Sequence, residues 1–145
     1  MKVKLLIKQI GNQAFLDVKL KDILICIDNP DLYKWKILWI RGTGKANYSV
    51  IDIENNVNSS ENGISYNIRD LIELSDSLTQ LFEILVIGDR KLNKLIRYND
   101  DFEMYDKCEF IIELIDSSFW EFTSSEDKSI SNLQHKFKSA KKNIL

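Results

Sequence analysis

The sequence predicts an α+β fold: a mostly antiparallel sheet of six or seven strands with two or three helices packed on it, one of them a C-terminal amphipathic helix. Three observations carry that expectation. Apolar and polar residues alternate from Lys34 to Arg41 and again from Cys108 to Phe122, the period of a strand. Between residues 67 and 75, and after Thr123, apolar residues recur instead at steps of three and four, the period of a helix. A chain of 145 residues, 44% hydrophobic and 29% charged, is also long enough to bury a core without staples, so residues 1–145 read as a single globular domain.

Taken in order, Val3, Leu5 and Ile7 alternate with Lys2, Lys4 and Lys8 in a first strand, and Gly11-Asn12 supplies a turn. Residues 14 to 20 alternate less cleanly, as a hairpin partner would. The run Ile23 to Ile27 fits either a buried strand or a helical turn, and Asn29-Pro30-Asp31 ends it. In the strand Lys34 to Arg41 the spacing puts Trp35, Ile37 and Trp39 on one face. Gly42-Thr43-Gly44 reads as a hairpin turn, with Tyr48 to Ile53 returning as a strand and Glu54 to Gly63, rich in Asn and Ser, as a mobile surface loop. Asn67 is the expected N-cap of a helix presenting Ile68, Leu71 and Ile72 on one face, with Asp70 near its positive end.

Gln80 to Gly88 reads as a central strand, and Leu92, Leu95 and Ile96 as a short helical pattern within Arg90, Lys91, Lys94 and Arg97. Cys108 to Ile115 and Phe119 to Phe122 form a hairpin about Asp116-Ser117-Ser118. Thr123 to Glu126 has the form of a capping box, opening a helix whose apolar stripe is Ile130, Leu133, Phe137, Ala140 and Ile144. Lys128, His135, Lys138 and Lys142 fall on its opposite face.

Charge is the most informative global feature. The net charge of −2 divides into +5 over residues 1–50, −12 over 51–127 and +5 over 128–145. A nearly neutral protein thus has a strongly acidic middle, which argues against a nucleic-acid coat or a polybasic membrane anchor. Charges interrupt the apolar start, no run could span a bilayer, and a cytoplasmic location is expected. Cys26 and Cys108 sit in apolar runs, as reduced buried thiols do.

No catalytic residue, cofactor site or metal site is expected. His135 is the one histidine, on a lysine-rich face unsuited to a dry catalytic cleft. Two isolated cysteines and scattered carboxylates match no zinc or calcium spacing. Gly42-Thr43-Gly44-Lys45 lacks the phosphate-loop frame. The carboxylates Asp100, Asp101, Glu103 and Asp106, interleaved with Phe102, Met104 and Tyr105, read as a solvated acidic loop. Interface cores favour aromatics while flanking charges steer encounter, so Asp100, Asp101, Phe102, Glu103, Tyr105 and Asp106 are the candidate partner-binding residues. Asp70, Glu73 and Asp76 form a second candidate patch.

The tryptophan strand leading to a Gly-x-Gly turn, Trp35 to Gly44, and the C-terminal run Phe110 to Phe122 followed by a helix with Leu133 and Phe137 resemble the cytoplasmic immunity proteins of bacterial contact-dependent growth inhibition and related polymorphic toxin systems. The resemblance implies stoichiometric binding and neutralisation of a cognate toxin, often a nuclease. A basic nuclease cleft would attract the acidic segment, in agreement with that role. No membrane or nucleic-acid partner is expected. The competing readings are another small protein-interaction module, or a nucleic-acid-binding accessory protein using Lys128, Lys138 and Lys142 with Arg90, Lys91, Lys94 and Arg97.

Overall fold

The computed structural model describes residues 1–9, 18–45 and 49–145. Seven strands, β1 (Val3–Lys8), β2 (Lys34–Gly44), β3 (Ile64–Tyr66), β4 (Leu78–Asp89), β5 (Phe110–Ile115), β6 (Phe119–Ser124) and β7 (Lys141–Ile144), make one sheet in the order β3-β2-β4-β5-β6-β1-β7. Every neighbouring pair is antiparallel. Among the described residues, five α-helices complete the α+β architecture: α1 (Leu20–Leu24), α2 (Val50–Ser59), α3 (Ile68–Ser77), α4 (Asp101–Lys107) and α5 (Asp127–Lys136).

Alternation along the strands divides the apolar residues between two faces. The inner face carries the main core: Leu5 of β1, Ile37 of β2, Val86 of β4, Phe110 and Ile112 of β5 and Trp120 and Phe122 of β6 pack with Leu24 of α1, Leu71 and Leu74 of α3 and Leu133 of α5. The outer face has a smaller cluster in which Leu38, Ile87 and Ile111 of the sheet meet Leu95, Met104 of α4 and Cys108. Helices α1, α3 and α5 therefore cover one face, and α4 covers part of the other.

Local chemistry explains most of the boundaries. Asn67 caps α3 as its sequence position predicts, its side chain accepting the Asp70 N–H at 2.8 Å. The β5–β6 hairpin also forms as predicted, with Asp116 and Ser117 in the left-handed region at φ 47° and 57°. The expected strand at 14–20 lies mostly outside the described residues. Its last residue, Leu20, opens α1, and the run that fits a strand or a helical turn begins in that helix.

Several expectations are corrected. Residues 50–59 are helical rather than a returning strand and a loop: Val50, Ile53 and Val57, at steps of three and four, face inward while Ile51 is exposed. Gly42-Thr43-Gly44 belongs to β2, which runs on beside β4 instead of turning. The capping box at Thr123 does not form, because β6 continues through Ser124 to pair with Val3 and Lys4 of β1. Glu126 is the N-cap instead, its carboxylate accepting the N–H groups of Lys128 at 3.1 Å and Ser129 at 2.8 Å. Burial draws this carboxyl upward, but the hydrogen bonds from Ser129 and Lys128 outweigh it and hold Glu126 below the usual range.

The C-terminal helix also ends early. After Lys136 the chain turns and adds β7 to the edge of β1, pairing Ile144 with Val3 and Lys142 with Leu5. Ile144 therefore leaves the helical stripe and stands 63% exposed on an edge strand, where Lys141 and Lys142 discourage further strand pairing.

Near the opposite edge, α2 takes the place of a strand. β3 pairs only with Trp35 to Ile37, so the backbone of β2 beyond it needs other partners. The Asn58 side chain accepts the Ile40 N–H at 3.2 Å and donates to the Ile40 carbonyl at 3.1 Å, while Glu54 accepts the Gly42 N–H at 2.8 Å. Asn58→Ala leaves both Ile40 groups unpaired and is expected to cost about 1–3 kcal/mol. A urea midpoint equal to that of the parent protein would show that these bonds contribute nothing.

Candidate functional site

On the outer face, polar and apolar side chains converge on a part of the sheet that no other described element covers. Its geometry begins with a β-bulge. The register between β2 and β4 shifts after Ile37, which pairs with Val86, so that Trp39 pairs with Leu85. Leu38 is the inserted residue. Strict alternation would keep Trp39 beside Trp35 and Ile37 in the main core, but the insertion reverses its direction. Trp35 is 1% exposed and Trp39 is 42% exposed on the outer face, so the expected common face of the three residues is corrected.

One transverse row then crosses the sheet: Trp39, Leu85, Glu113, Glu121, Leu6 and Lys141. The Trp39 indole N–H donates to Glu83 Oε2 at 3.1 Å, and Arg41 Nε reaches the same oxygen at 3.4 Å. The bond from Trp39, aided by Arg41, holds the Glu83 carboxyl below the usual carboxylate range. Glu121 pairs with Lys4 at 3.1 Å. Glu113 has neither a hydrogen bond nor an ion pair with any described residue. Burial, and after it the nearby charges of Glu121 and Asp101, push its carboxyl upward against the weaker pull of Lys4. Trp39, Glu83, Leu85, Glu113 and Ile115 line a shallow groove of about 220 Å³.

Helix α4 covers another part of the outer face. Asp100 caps it by accepting the Phe102 N–H at 2.7 Å, and Met104 anchors it in the outer cluster. The segment is thus a helix and not a solvated loop, because an N-cap and an apolar anchor meet a covered patch of sheet. Tyr105 accepts from Lys4 at 3.1 Å, with the same ammonium 4.2 Å from its ring centroid, which joins α4 to the Lys4–Glu121 pair. Glu103 pairs with Lys107 at 2.8 Å. Phe102 is 80% exposed beside Asp101, Glu103 and Asp106, all three exposed.

The structure therefore brings Asp100, Asp101, Phe102, Glu103, Tyr105 and Asp106 together on one short helix. It does not unite them with Asp70, Glu73 and Asp76. Those three are exposed on α3, which packs against the inner face, and Asp76 is engaged by Lys21 at 3.4 Å. Glu109, just beyond α4, accepts the Ser124 and Ser125 hydroxyls at 3.1 and 3.0 Å. Sequence reasoning missed Trp39, Glu83 and Glu121, and noted Glu113 only as one of a run of carboxylates. The alternation that sets Glu113 opposite Phe110 also sets Glu121 opposite Phe122, but nothing in it marks the bulge that adds Trp39.

The basic residues form no single stripe. With α5 ending at Lys136, Lys138 and Lys142 lie beyond the helix that was expected to carry them, while Lys128 pairs with Asp28 at 3.5 Å. Arg97 is bound into the fold, donating to the Val57 carbonyl at 2.8 Å and the Ser60 carbonyl at 3.1 Å. Arg90, Lys91 and Lys94 line a cleft of about 540 Å³ shared with Asp89, Glu109 and Glu126, whose carboxylates already accept hydrogen bonds. His135 is exposed.

No group of three or more His, Cys, Asp or Glu among the described residues could hold a metal ion. Cys26 and Cys108 are free and buried, in the inner and outer clusters respectively. Burial pushes the Cys108 thiol up to about 11, away from the thiolate form that reacts. Among the described residues no helix is long and apolar enough to cross a membrane.

No protein-family model matches the chain, and neither a curated protein nor a solved structure was found to match it.

Proposed function

We propose that this protein is a bacterial cytoplasmic immunity protein that neutralises a cognate toxin, a basic nuclease domain, by stoichiometric binding through its acidic surface. The observation that carries the reading is Phe102, 80% exposed on α4 beside the carboxylates Asp101, Glu103 and Asp106. An exposed aromatic beside an excess of carboxylates combines an anchor that gains from desolvation with a field that selects an oppositely charged partner. A nuclease presents such a partner, since its cleft must attract phosphates. The protein performs no chemistry in this role. It occupies the basic surface and denies it to the substrate.

Co-expression with the product of the adjacent upstream gene tests the proposal. Wild-type protein is expected to restore growth and to co-elute with that product as a stoichiometric complex. A harmless neighbour, or toxicity unrelieved by co-expression, would overturn the immunity role.

A further inference from the structure

We infer that the groove on the open sheet face seats one arginine side chain of the basic partner, with the guanidinium stacked on Trp39 and paired with Glu113. This rests on the reading of the protein as a binder of a basic partner. The argument is charge complementarity on an uncovered face. Glu83, Glu113 and Glu121 face outward there with Lys4 and Arg41 beside them, and Lys141 stands at the far end of the same row. Lys4 is in contact with Glu121 and Arg41 with Glu83, so Glu113, half-buried in the groove, feels Lys4 at a distance but has no ion pair of its own among the described residues. A desolvated carboxylate without a partner is costly, and a cation from outside removes that cost.

The remaining groups favour arginine among cations. The Trp39 ring is held in place by its bond to Glu83, and Leu85 and Ile115 supply apolar walls. A planar guanidinium stacks on an aromatic face and meets a carboxylate with two parallel hydrogen bonds, whereas an ammonium offers a point charge on a flexible stem. A groove of about 220 Å³ accepts a side chain but is small for a cofactor, whose pockets run from about 300 Å³ upward.

The test uses the full chain, labelled with nitrogen-15 and titrated with the capped tripeptides acetyl-Gly-Arg-Gly-amide, its lysine analogue and its glutamine analogue. The arginine peptide is expected to shift the Trp39 indole resonance and the amides of Leu85, Glu113 and Ile115, the lysine peptide less, and the glutamine peptide not at all. Trp35 and Trp120, whose indole N–H groups donate to the carbonyls of Pro30 and Val18, serve as unmoved internal controls. E113Q keeps the shape of the side chain and is expected to weaken the arginine response roughly tenfold while leaving the control resonances in place. The inference is overturned if arginine and glutamine peptides act alike, or if E113Q binds the arginine peptide as well as the parent does. Failure of rescue with the arginine response intact removes the immunity role alone. Rescue without that response removes only the arginine seat.

Discussion

Truncating Trp35 to alanine is expected to destabilise the protein by about 3–5 kcal/mol, a large share of the ~5–15 kcal/mol by which folded domains are stable. Trp35 is 1% exposed, packs 5.4 Å from Phe110 and 6.1 Å from Tyr33 between ring centroids, and donates its indole N–H to the Pro30 carbonyl at 3.2 Å. Its ring lies over Gly88, the residue it faces across the β2–β4 pair, and a Cβ added at Gly88 would land on that ring. Gly88→Ala alone is therefore expected to cost about 1–3 kcal/mol through overpacking. In the Trp35→Ala background the same methyl group enters vacated space, so the two losses should fall short of additive. Urea unfolding followed by circular dichroism measures all four corners of that cycle. Strict additivity would show that the ring does not rest on Gly88.

Reversing charge on α4 is expected to slow association with the cognate toxin by roughly tenfold or more at low salt and to flatten its salt dependence. The structure decides which carboxylates can be changed cleanly. Asp100 caps the helix and Glu103 is paired with Lys107, so altering either would disturb α4 itself. Asp101 and Asp106 are exposed and make no ion pair within the described residues. The double variant Asp101→Lys/Asp106→Lys leaves the cap and the pair intact, and costs only about 0.3–1 kcal/mol for a cation placed in the first helical turn. Stopped-flow association over a salt series, with thermal unfolding as the control, checks it. An unchanged rate in a folded variant would move the binding face away from α4.

The contrast between these two residue sets also indicates what periodicity can and cannot reveal. The hairpin from Phe110 to Ser124 was legible because Phe110, Ile112 and Leu114, then Trp120 and Phe122, recur at every second position and its turn is local, and Asn67 was legible because capping involves residues three apart. The helix α2 was not, because Ile51 and Ile53 mimic a strand; its true stripe, Val50, Ile53 and Val57, spans what reads as two elements. Polar Asn58, which suggested a loop, is there to satisfy the backbone of Ile40. Likewise Ile144 continues a helical spacing on paper, yet an unpaired edge of β1 draws those residues into β7.

By itself, the sequence determined that this chain builds an antiparallel α+β sheet, that its middle is acidic, and that the carboxylates and aromatics of residues 100–106 lie close together; composition and short-range period suffice for these. Only the tertiary structure decided that α3 and α4 lie on opposite faces of the sheet, and that Trp39 leaves the core to stand beside Glu83 and Glu113. The physical reason is common to both. Which face a side chain occupies depends on how a segment is registered against strands distant in the chain, and a single inserted residue such as Leu38 reverses that face without altering composition.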